Sequence, residues 1–599
     1  TSQLPLAAGK DPLLSDFDDS DDEGGATVNS AEVTSDVPRT YKQATNGPDR
    51  DKWQAAIQAE IEALSNAGTF ARVPVSEPRS GGHKILHTRW VFVKKTDAAG
   101  GVKYKARLVV RGDQQREGID YQDVYAPVVN AVTMRVLLAV AAQRGYDVDQ
   151  LDVTAAFLNG KLDSDEHVFV YIPDGFAREH EAVFKLRRSL YGLHQAPRHW
   201  NKVLHDFMIS YGMTQSQVDH CLYFIPGVLY IVCWVDDILV VSPDGAAKAA
   251  FKSAFAARFP VRDLGPAQKF LGMELTVDQQ HHTVTLTSAA KIAAMLARYG
   301  MVDAAVKHTP MAAKTVLVPA DFGDDNKDDV LPEHFPYREL VGALLYLATW
   351  TRPDIAFAVS QLARFQAKPT HAHWRAAKHV LAYLKGTAHL GLCYSRDQGV
   401  LPSTLPDGST PLTAARPATA THASPDTIRF NEMTAPIALS TTQPVGFVDA
   451  SWGEDLSTRR SQAANVFVLA GASVMWNTKL QKCVAQSSTE AEYLSLSAAV
   501  KDALFLRNVY NDMVVSPQLP LATITLLEDN QSAMRSALNL ESSSRTRHID
   551  IRHHLIRDHV QSGDIRLHYI PTDLQAADCL TKALDRVKVC DFRRVILGC

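Results

Sequence analysis

Asp236 and Asp237 stand side by side between two apolar, β-prone runs, residues 230–235 and 238–241. Such a pattern predicts a tight hairpin with two carboxylates at its tip. Two like charges a few ångströms apart resist joint ionisation, so a pair held between buried strands calls for a compensating charge. A divalent cation supplies it. Mg²⁺ takes few protein carboxylates and keeps sites for substrate phosphates, and two such ions about 3.5–4 Å apart clamp the attacking and leaving oxygens of an in-line phosphoryl displacement. Asp152 qualifies as a third ligand, because it ends an apolar strand-like segment and precedes a turn-and-helix stretch that begins near Thr154. The alternative for an Asp-Asp pair in a turn is ordinary solvated turn chemistry.

A second set of acids lies past residue 442. Val445, Phe447 and Asp449 alternate onto one strand face that ends in a carboxylate. Glu492 sits at a helix start, Asp529 closes a strand over 523–527 just before Asn530, a residue type that caps helices, and Asp578 lies in the stretch 575–582. Each alone is a common surface acid. Acids at successive strand ends and helix starts can converge at one edge of a sheet, where they would hold two metal ions.

The elements that must position these groups are readable in outline. Residues 53–64 have apolar side chains at helical spacing. Two strand-like runs, 90–95 and 103–110, flank Asp97-Ala98-Ala99-Gly100-Gly101 and read as a hairpin with Lys103, Lys105 and Arg107 on one face and Tyr104, Ala106, Leu108 and Val110 on the other. A solvated surface hairpin would look the same. Residues 133–142 look helical and 148–153 strand-like, and helices alternate with strands to about residue 394, an α+β arrangement. Residues 395–442, rich in Pro, Ser, Thr and Ala, read as a linker. Beyond it, strands at 445–449, 464–469, 473–476 and 523–527 and helices at 489–509 and near 574–584 predict a second, α/β unit.

At 599 residues the chain is long enough for three or four folded units at about 100–200 residues each. With 46% hydrophobic, 21% charged and 8% aromatic residues it has the composition of a globular protein, which excludes disordered, collagen-like and coiled-coil classes. Seven scattered cysteines without a C-x-x-C pair argue against a disulfide scaffold and a zinc knuckle, and fit a reducing compartment. The longest apolar run, 228–241, is broken by Asp236 and Asp237 and is shorter than the ~20 residues of a spanning helix, so a membrane protein is not expected. The net charge is −4, but residues 1–24 alone carry −6, which leaves a mildly basic remainder at +2 and permits local phosphate contacts.

Four ordered motifs then become specific: Leu151-Asp152-Val153-Thr154-Ala155-Ala156-Phe157-Leu158-Asn159-Gly160, Leu190-Tyr191-Gly192-Leu193-His194-Gln195-Ala196-Pro197-Arg198-His199-Trp200, Trp234-Val235-Asp236-Asp237-Ile238-Leu239 and Phe270-Leu271-Gly272-Met273-Glu274-Leu275. In this order they resemble the reverse transcriptase of copia-type LTR retrotransposons, and the later acids resemble the ribonuclease H that follows it. The resemblance implies an α+β fold: a right-hand polymerase of fingers, palm and thumb, followed by an α/β ribonuclease H-like domain. It implies an RNA-directed DNA polymerase with ribonuclease H activity and two Mg²⁺ or Mn²⁺ ions per active site.

The implied metal ligands are Asp152, Asp236 and Asp237 in the first site and Asp449, Glu492, Asp529 and Asp578 in the second. Glu492 is preferred to Glu490 because it fills the Ala-Glu-aromatic position of the family pattern. Lys105, Arg107, Phe157 and Gly192 are the implied nucleotide-binding residues, with Phe157 as a bulky gate against the sugar 2′-hydroxyl and a core aromatic as its plain alternative. His194 stands where the family usually has Lys, and a histidine carries less charge than a lysine near neutral pH. The basic, His-dense stretch 545–554 reads as a phosphate patch.

Implied partners are an RNA and DNA primer–template, RNA–DNA hybrids and deoxynucleoside triphosphates, with integrase, protease and coat regions upstream in a parent polyprotein and virus-like particles in the cytoplasm, or the nucleus, as the location. The expected organisation is an acidic tail (1–45), fingers and palm (46–260), a thumb-like region (261–330), a helical connection (331–394), the linker (395–442) and the ribonuclease H-like domain (443–590). The chain opens on Thr1, which fits a fragment or processed product. A decayed or host-adopted copy that binds nucleic acid without catalysis is the alternative, and the intact acids weigh against it.

Overall fold

A computed structural model describes residues 37–96, 101–177, 179, 181–322, 329–396, 433, 442–514, 521–538 and 550–599. Most of the expected acidic tail and linker, the turn of the basic hairpin and most of the His-dense stretch lie outside the described residues. Among the described residues, no helix is long and apolar enough to cross a membrane. The chain divides into two compact units, Thr1–Ala126 with Ala155–Phe207, and Pro127–Thr154 with Met208–Cys599.

In the first unit the helix Arg50–Asn66 buries Trp53, Ile57 and Leu64, one stripe of its surface. Trp53 meets Phe92 and Tyr104 edge-on at 5.2 and 4.7 Å between ring centroids, which seats the helix on the hairpin of Thr88–Thr96 and Val102–Val110. In the second strand of this hairpin Ala106, Leu108 and Val110 are buried, while Lys103, Lys105 and Arg107 take the other face. A four-stranded sheet completes the unit.

The second unit contains a six-stranded antiparallel sheet in the order Val261–Pro266, Asp147–Val153, Asp237–Ser242, Leu229–Trp234, Leu222–Ile225, Thr214–Gln215. A five-stranded sheet has the order Ala472–Leu480, Gln462–Leu469, Val445–Ser451, Ile524–Glu528, Ile565–Tyr569, antiparallel among the first three and parallel among the last three. Parallel neighbours need crossovers, and the helices Ser488–Val514 and Asp550–Gln561 provide them.

The helix Ala131–Arg144 is buried from Val132 to Ala142 and packs on strand Asp237–Ser242 of one sheet and on Ala472–Leu480 of the other. It is apolar nearly all round because it is covered on every side. Arg135 in its middle donates to the Val474 carbonyl (2.8 Å) and the Thr349 carbonyl (2.7 Å) and lies 3.9 Å over the Trp476 ring. Burial pulls its pKa down to about 10.

Two local expectations differ from the structure, and one motif proves to be a tight turn. The carboxylate hairpin turns at Val235-Asp236, and Asp237 is already the first residue of the returning strand, paired with Trp234. The motif at residues 270–275 is a hairpin: Lys269–Phe270 and Met273–Asp278 flank Leu271 and Gly272, both at positive φ (51° and 80°), as a type I′ turn requires. Residues 574–584 form two 3₁₀ turns, Thr572–Leu574 and Ala576–Leu580, instead of a helix. The cause is Gln575, whose buried amide donates to the Val448 carbonyl at 2.8 Å and draws the backbone down onto the sheet.

Two candidate carboxylate centres

Register explains the first centre. Asp237 lies opposite both Trp234 and Asp152 on its two neighbouring strands, and Asp152 lies opposite Arg262. Directly opposed residues share a face, so Trp234, Asp237, Asp152 and Arg262 form one row across four strands. The Arg262 guanidinium reaches the Asp152 carboxylate at 3.0 Å, and the Gln150 amide donates to Asp237 at 3.3 Å.

Asp236 belongs to the tip, whose backbone is held to the row: the Val153 amide donates to the Asp236 carbonyl at 2.8 Å. Val235 adopts φ +52°, a left-handed conformation that a β-branched residue reaches only under strain. The three carboxylates are half-buried at the ends of strands whose interiors are buried, so they face outward from a rigid base. Trp234 packs edge-on against Trp350 at 5.9 Å.

The residues expected to bind nucleotide lie in the first unit. The Arg107 guanidinium stacks 4.7 Å above the Tyr191 ring, and Phe157, half-buried in the 3₁₀ turn Ala156–Asn159, meets Tyr191 edge-on at 5.0 Å. Gly192 has φ +90°, and a Cβ there would fall 2.1 Å from the Val110 carbonyl oxygen, so only glycine lets this backbone approach the hairpin. Lys105 shares the strand face of Arg107. His194 is exposed, with its ring 5.0 Å from that of Tyr121. Asp163, Glu166 and His199 also cluster in this unit, but Asp163 already pairs with Arg198 (3.1 Å) and Lys202 (3.4 Å), a clamp of loop to helix.

The second centre lies on the five-stranded sheet. Asp449, Glu492 and Asp529 bring carboxylate oxygens within 4.8 Å of one another. Asp578 joins them through Lys582, whose ammonium lies 2.9 Å from Asp578 and 3.4 Å from Asp449. The Thr581 hydroxyl donates to Asp449, and the Thr572 hydroxyl donates to Asp529 at 2.7 Å. Asn530 caps the next helix by accepting from the Ser532 and Ala533 amides at 3.1 and 3.0 Å, which fixes the strand end that carries Asp529.

Burial, and then the neighbouring Glu528, Asp449 and Asp529 charges, push the Glu492 carboxyl far above the usual range. Burial and Asp449 raise Asp578, and burial also raises Asp529 and Glu528. Burial works to lower Lys582, but Asp449 and Asp578 outweigh it and hold the ammonium charged. One Glu492 oxygen is buried without a hydrogen-bond partner.

Sequence reasoning passed over Lys582, Thr581, Arg262 and Glu528. Lys582 was findable, since it stands four residues after Asp578, one helical turn on. Arg262 had no local signal, because its place depends on register with a strand more than a hundred residues away.

Comparison with known proteins sets the class first. Residues 73–313 match the family model "Reverse transcriptase (RNA-dependent DNA polymerase)", in agreement with the acid row on the antiparallel sheet. The Pol polyprotein from transposon TNT 1-94 of Nicotiana tabacum is 32% identical over 558 residues, which cover 92% of this chain and 38% of that protein. The Pol polyprotein from transposon RE2 of Arabidopsis thaliana is 32% identical over 572 residues, 93% of this chain and 34% of that protein. A solved foamy viral protease–reverse transcriptase in complex with double-stranded DNA is similar at a TM-score of 0.45 and 11% identity, over 86% of this chain and 69% of that one. The chain belongs to the copia-type retrotransposon Pol polyproteins, as its four ordered motifs implied, and carries their reverse transcriptase region. It spans little more than a third of the length of these curated relatives.

Proposed function

We propose that this chain copies RNA and then DNA from a primer terminus at the first centre, and cleaves the RNA strand of RNA–DNA hybrids at the second. The observation that carries this reading is the presence, in one chain of the reverse transcriptase family, of two separate sets of carboxylates, one in register across the antiparallel sheet and one converging on the five-stranded sheet.

The residues fit divalent cations. Asp449, Glu492 and Asp529 converge, Glu492 keeps a buried oxygen without a partner, and the Lys582 ammonium already bridges Asp449 and Asp578, so a positive charge is what the cluster lacks most. Asp152, with Asp236 and Asp237 beside it, would hold ions at the first centre, and Asp449, Glu492, Asp529 and Asp578 at the second. Bound Mg²⁺ or Mn²⁺ would polarise the phosphoryl oxygen and neutralise the charge that builds up on it.

The protein's own groups do the rest. At the first centre the primer 3′-hydroxyl attacks the α-phosphorus of a deoxynucleoside triphosphate and pyrophosphate leaves, with Lys105 and Arg107 binding the triphosphate and Phe157 rejecting a 2′-hydroxyl. The stack on Tyr191 fixes the plane of the Arg107 guanidinium. At the second centre water attacks a phosphodiester of the RNA strand, one P–O ester bond breaks and the departing sugar oxygen leaves as a hydroxyl with a proton from the water, while Lys582 screens Asp449 and Asp578 from each other.

The test is primer extension on a poly(rA)-type template with Mg²⁺ or Mn²⁺, together with cleavage of a labelled RNA–DNA hybrid. Extension and cleavage are both expected. A folded preparation that performs neither overturns the reading.

A further inference from the structure

Trp452 is 54% exposed, an unusual position for the largest apolar side chain. It is not loosely held. Its indole N–H donates to the Ala485 carbonyl at 3.0 Å, and Ala485 packs with Ala450 and Ala491 in a small buried cluster. Ala450 follows Asp449 in the chain and Ala491 precedes Glu492, so the contact that fixes the indole belongs to the junction that sets two carboxylates of the second centre.

The adjoining loop is rigid as well. Asp455 accepts from the Ser457 hydroxyl (2.8 Å) and the Thr458 amide (2.7 Å) and pairs with Arg364, and the Gly453 amide donates to the Ser461 hydroxyl at 3.1 Å. Cations stand close by. A Cβ on Gly453 would lie 3.8 Å from the exposed Arg459 guanidinium, and Lys482 and Val484, both exposed, precede Ala485. An exposed, immobilised aromatic ring among cations suits a polyanion that also offers flat apolar faces, which describes a nucleic-acid strand.

We infer that Trp452 is a substrate-contact residue of the second centre, its ring packing on a sugar or base of the RNA strand of an RNA–DNA hybrid beside the phosphate to be cleaved. This rests on the ribonuclease reading above. Trp452 is three residues beyond Asp449, at most about 10 Å along an extended chain, which is within a few nucleotides of a phosphate seated on the acids. The wide, shallow groove of A-like duplexes leaves the sugar edge open to such a ring. Because the indole is already immobilised by Ala485, little side-chain freedom is lost when substrate binds.

Full-length wild type, Trp452→Ala and Trp452→Phe are compared on one RNA–DNA hybrid with Mg²⁺, with primer extension and thermal melting alongside. Trp452→Ala is expected to raise KM for the hybrid about tenfold, the effect of losing one stacking contact, with kcat changed less than about threefold. Trp452→Phe should recover most of the loss, and primer extension and melting should not move. An unchanged KM in Trp452→Ala, while wild type cleaves, overturns this inference and leaves the ribonuclease reading intact. So does a loss of cleavage that comes with a lowered melting temperature and is not rescued by Phe, since packing alone then explains it. Absence of cleavage by a folded wild type that extends primers overturns the ribonuclease reading, and this inference with it.

Discussion

Two side chains put the chemistry of single residues to the test. Lys582 holds Asp449 and Asp578 together with one ammonium, so Lys582→Met leaves two buried carboxylates facing each other. Hybrid cleavage at a fixed Mg²⁺ concentration is expected to fall at least tenfold, with primer extension unchanged; a variant that cleaves like wild type would remove Lys582 from the mechanism. Phe157 rests edge-on against Tyr191, whose ring lies under Arg107, and its half-buried setting suits both a gate and a packing role. A gate predicts that Phe157→Val raises the kcat/KM ratio of ribonucleotide to deoxynucleotide by orders of magnitude. Packing alone predicts about 3 kcal/mol or less of lost stability and an unchanged ratio. Measuring the ratio and the melting curve on the same variant separates them.

At the scale of elements, buried polar residues fix helix and hairpin ends. The helix His371–Gly386 opens on a capping box in which the Thr370 amide donates to His373 Nδ1 at 2.9 Å, and His373 is fully buried against Phe365, 4.1 Å between centroids. Burial lowers the His373 pKa to about 4, below the ~6.5 of the unfolded chain. The unfolded state therefore takes up the proton first as pH falls, so the stabilisation is fully present above about pH 6.5 and is lost progressively down to pH 4, by about 3 kcal/mol at most. Gln serves the same capping box without titrating. Denaturant unfolding at pH 6.5 and 4.5 should show His373→Gln losing less stability than wild type, and equal losses would contradict the assignment. The strained Val235 tip is held by the pairing on either side of it, which is how a two-residue turn can present Asp236 beside the row of Asp237 and Asp152.

At the scale of the whole molecule, both acid sets lie in one compact unit but on different sheets, joined through the buried helix Ala131–Arg144 and its Arg135. Isosteric changes at one set should not reach the other, because they alter ligands and not packing. Asp236→Asn is expected to abolish DNA synthesis and leave hybrid cleavage within about threefold, and Asp449→Asn to do the reverse. Retained synthesis in the first variant, or retained cleavage in the second, would show that the corresponding site is misplaced. Chelation of divalent cations should silence both activities together and restore both on adding Mg²⁺.

The local sequence determined the elements and the side of each that carries charge. Alternation placed Lys105 and Arg107 on one face of the hairpin, helical spacing buried Trp53 and Ile57, and apolar runs beside Asp152, Asp236 and Asp449 marked strands, all from interactions within a few residues. The four ordered motifs carried the family. Tertiary structure decided which of these groups meet. The row from Trp234 to Arg262 depends on register among strands far apart in the chain, and a shift of one residue would turn each side chain to the other face. Gln575, read as part of a helix, instead sends its amide into the sheet and breaks the helix. The Lys582 ammonium meets Asp449 and Asp578 only because folding brings the three together, and the Glu492 carboxyl is raised only because folding removes water from an acid that is solvated in the unfolded chain.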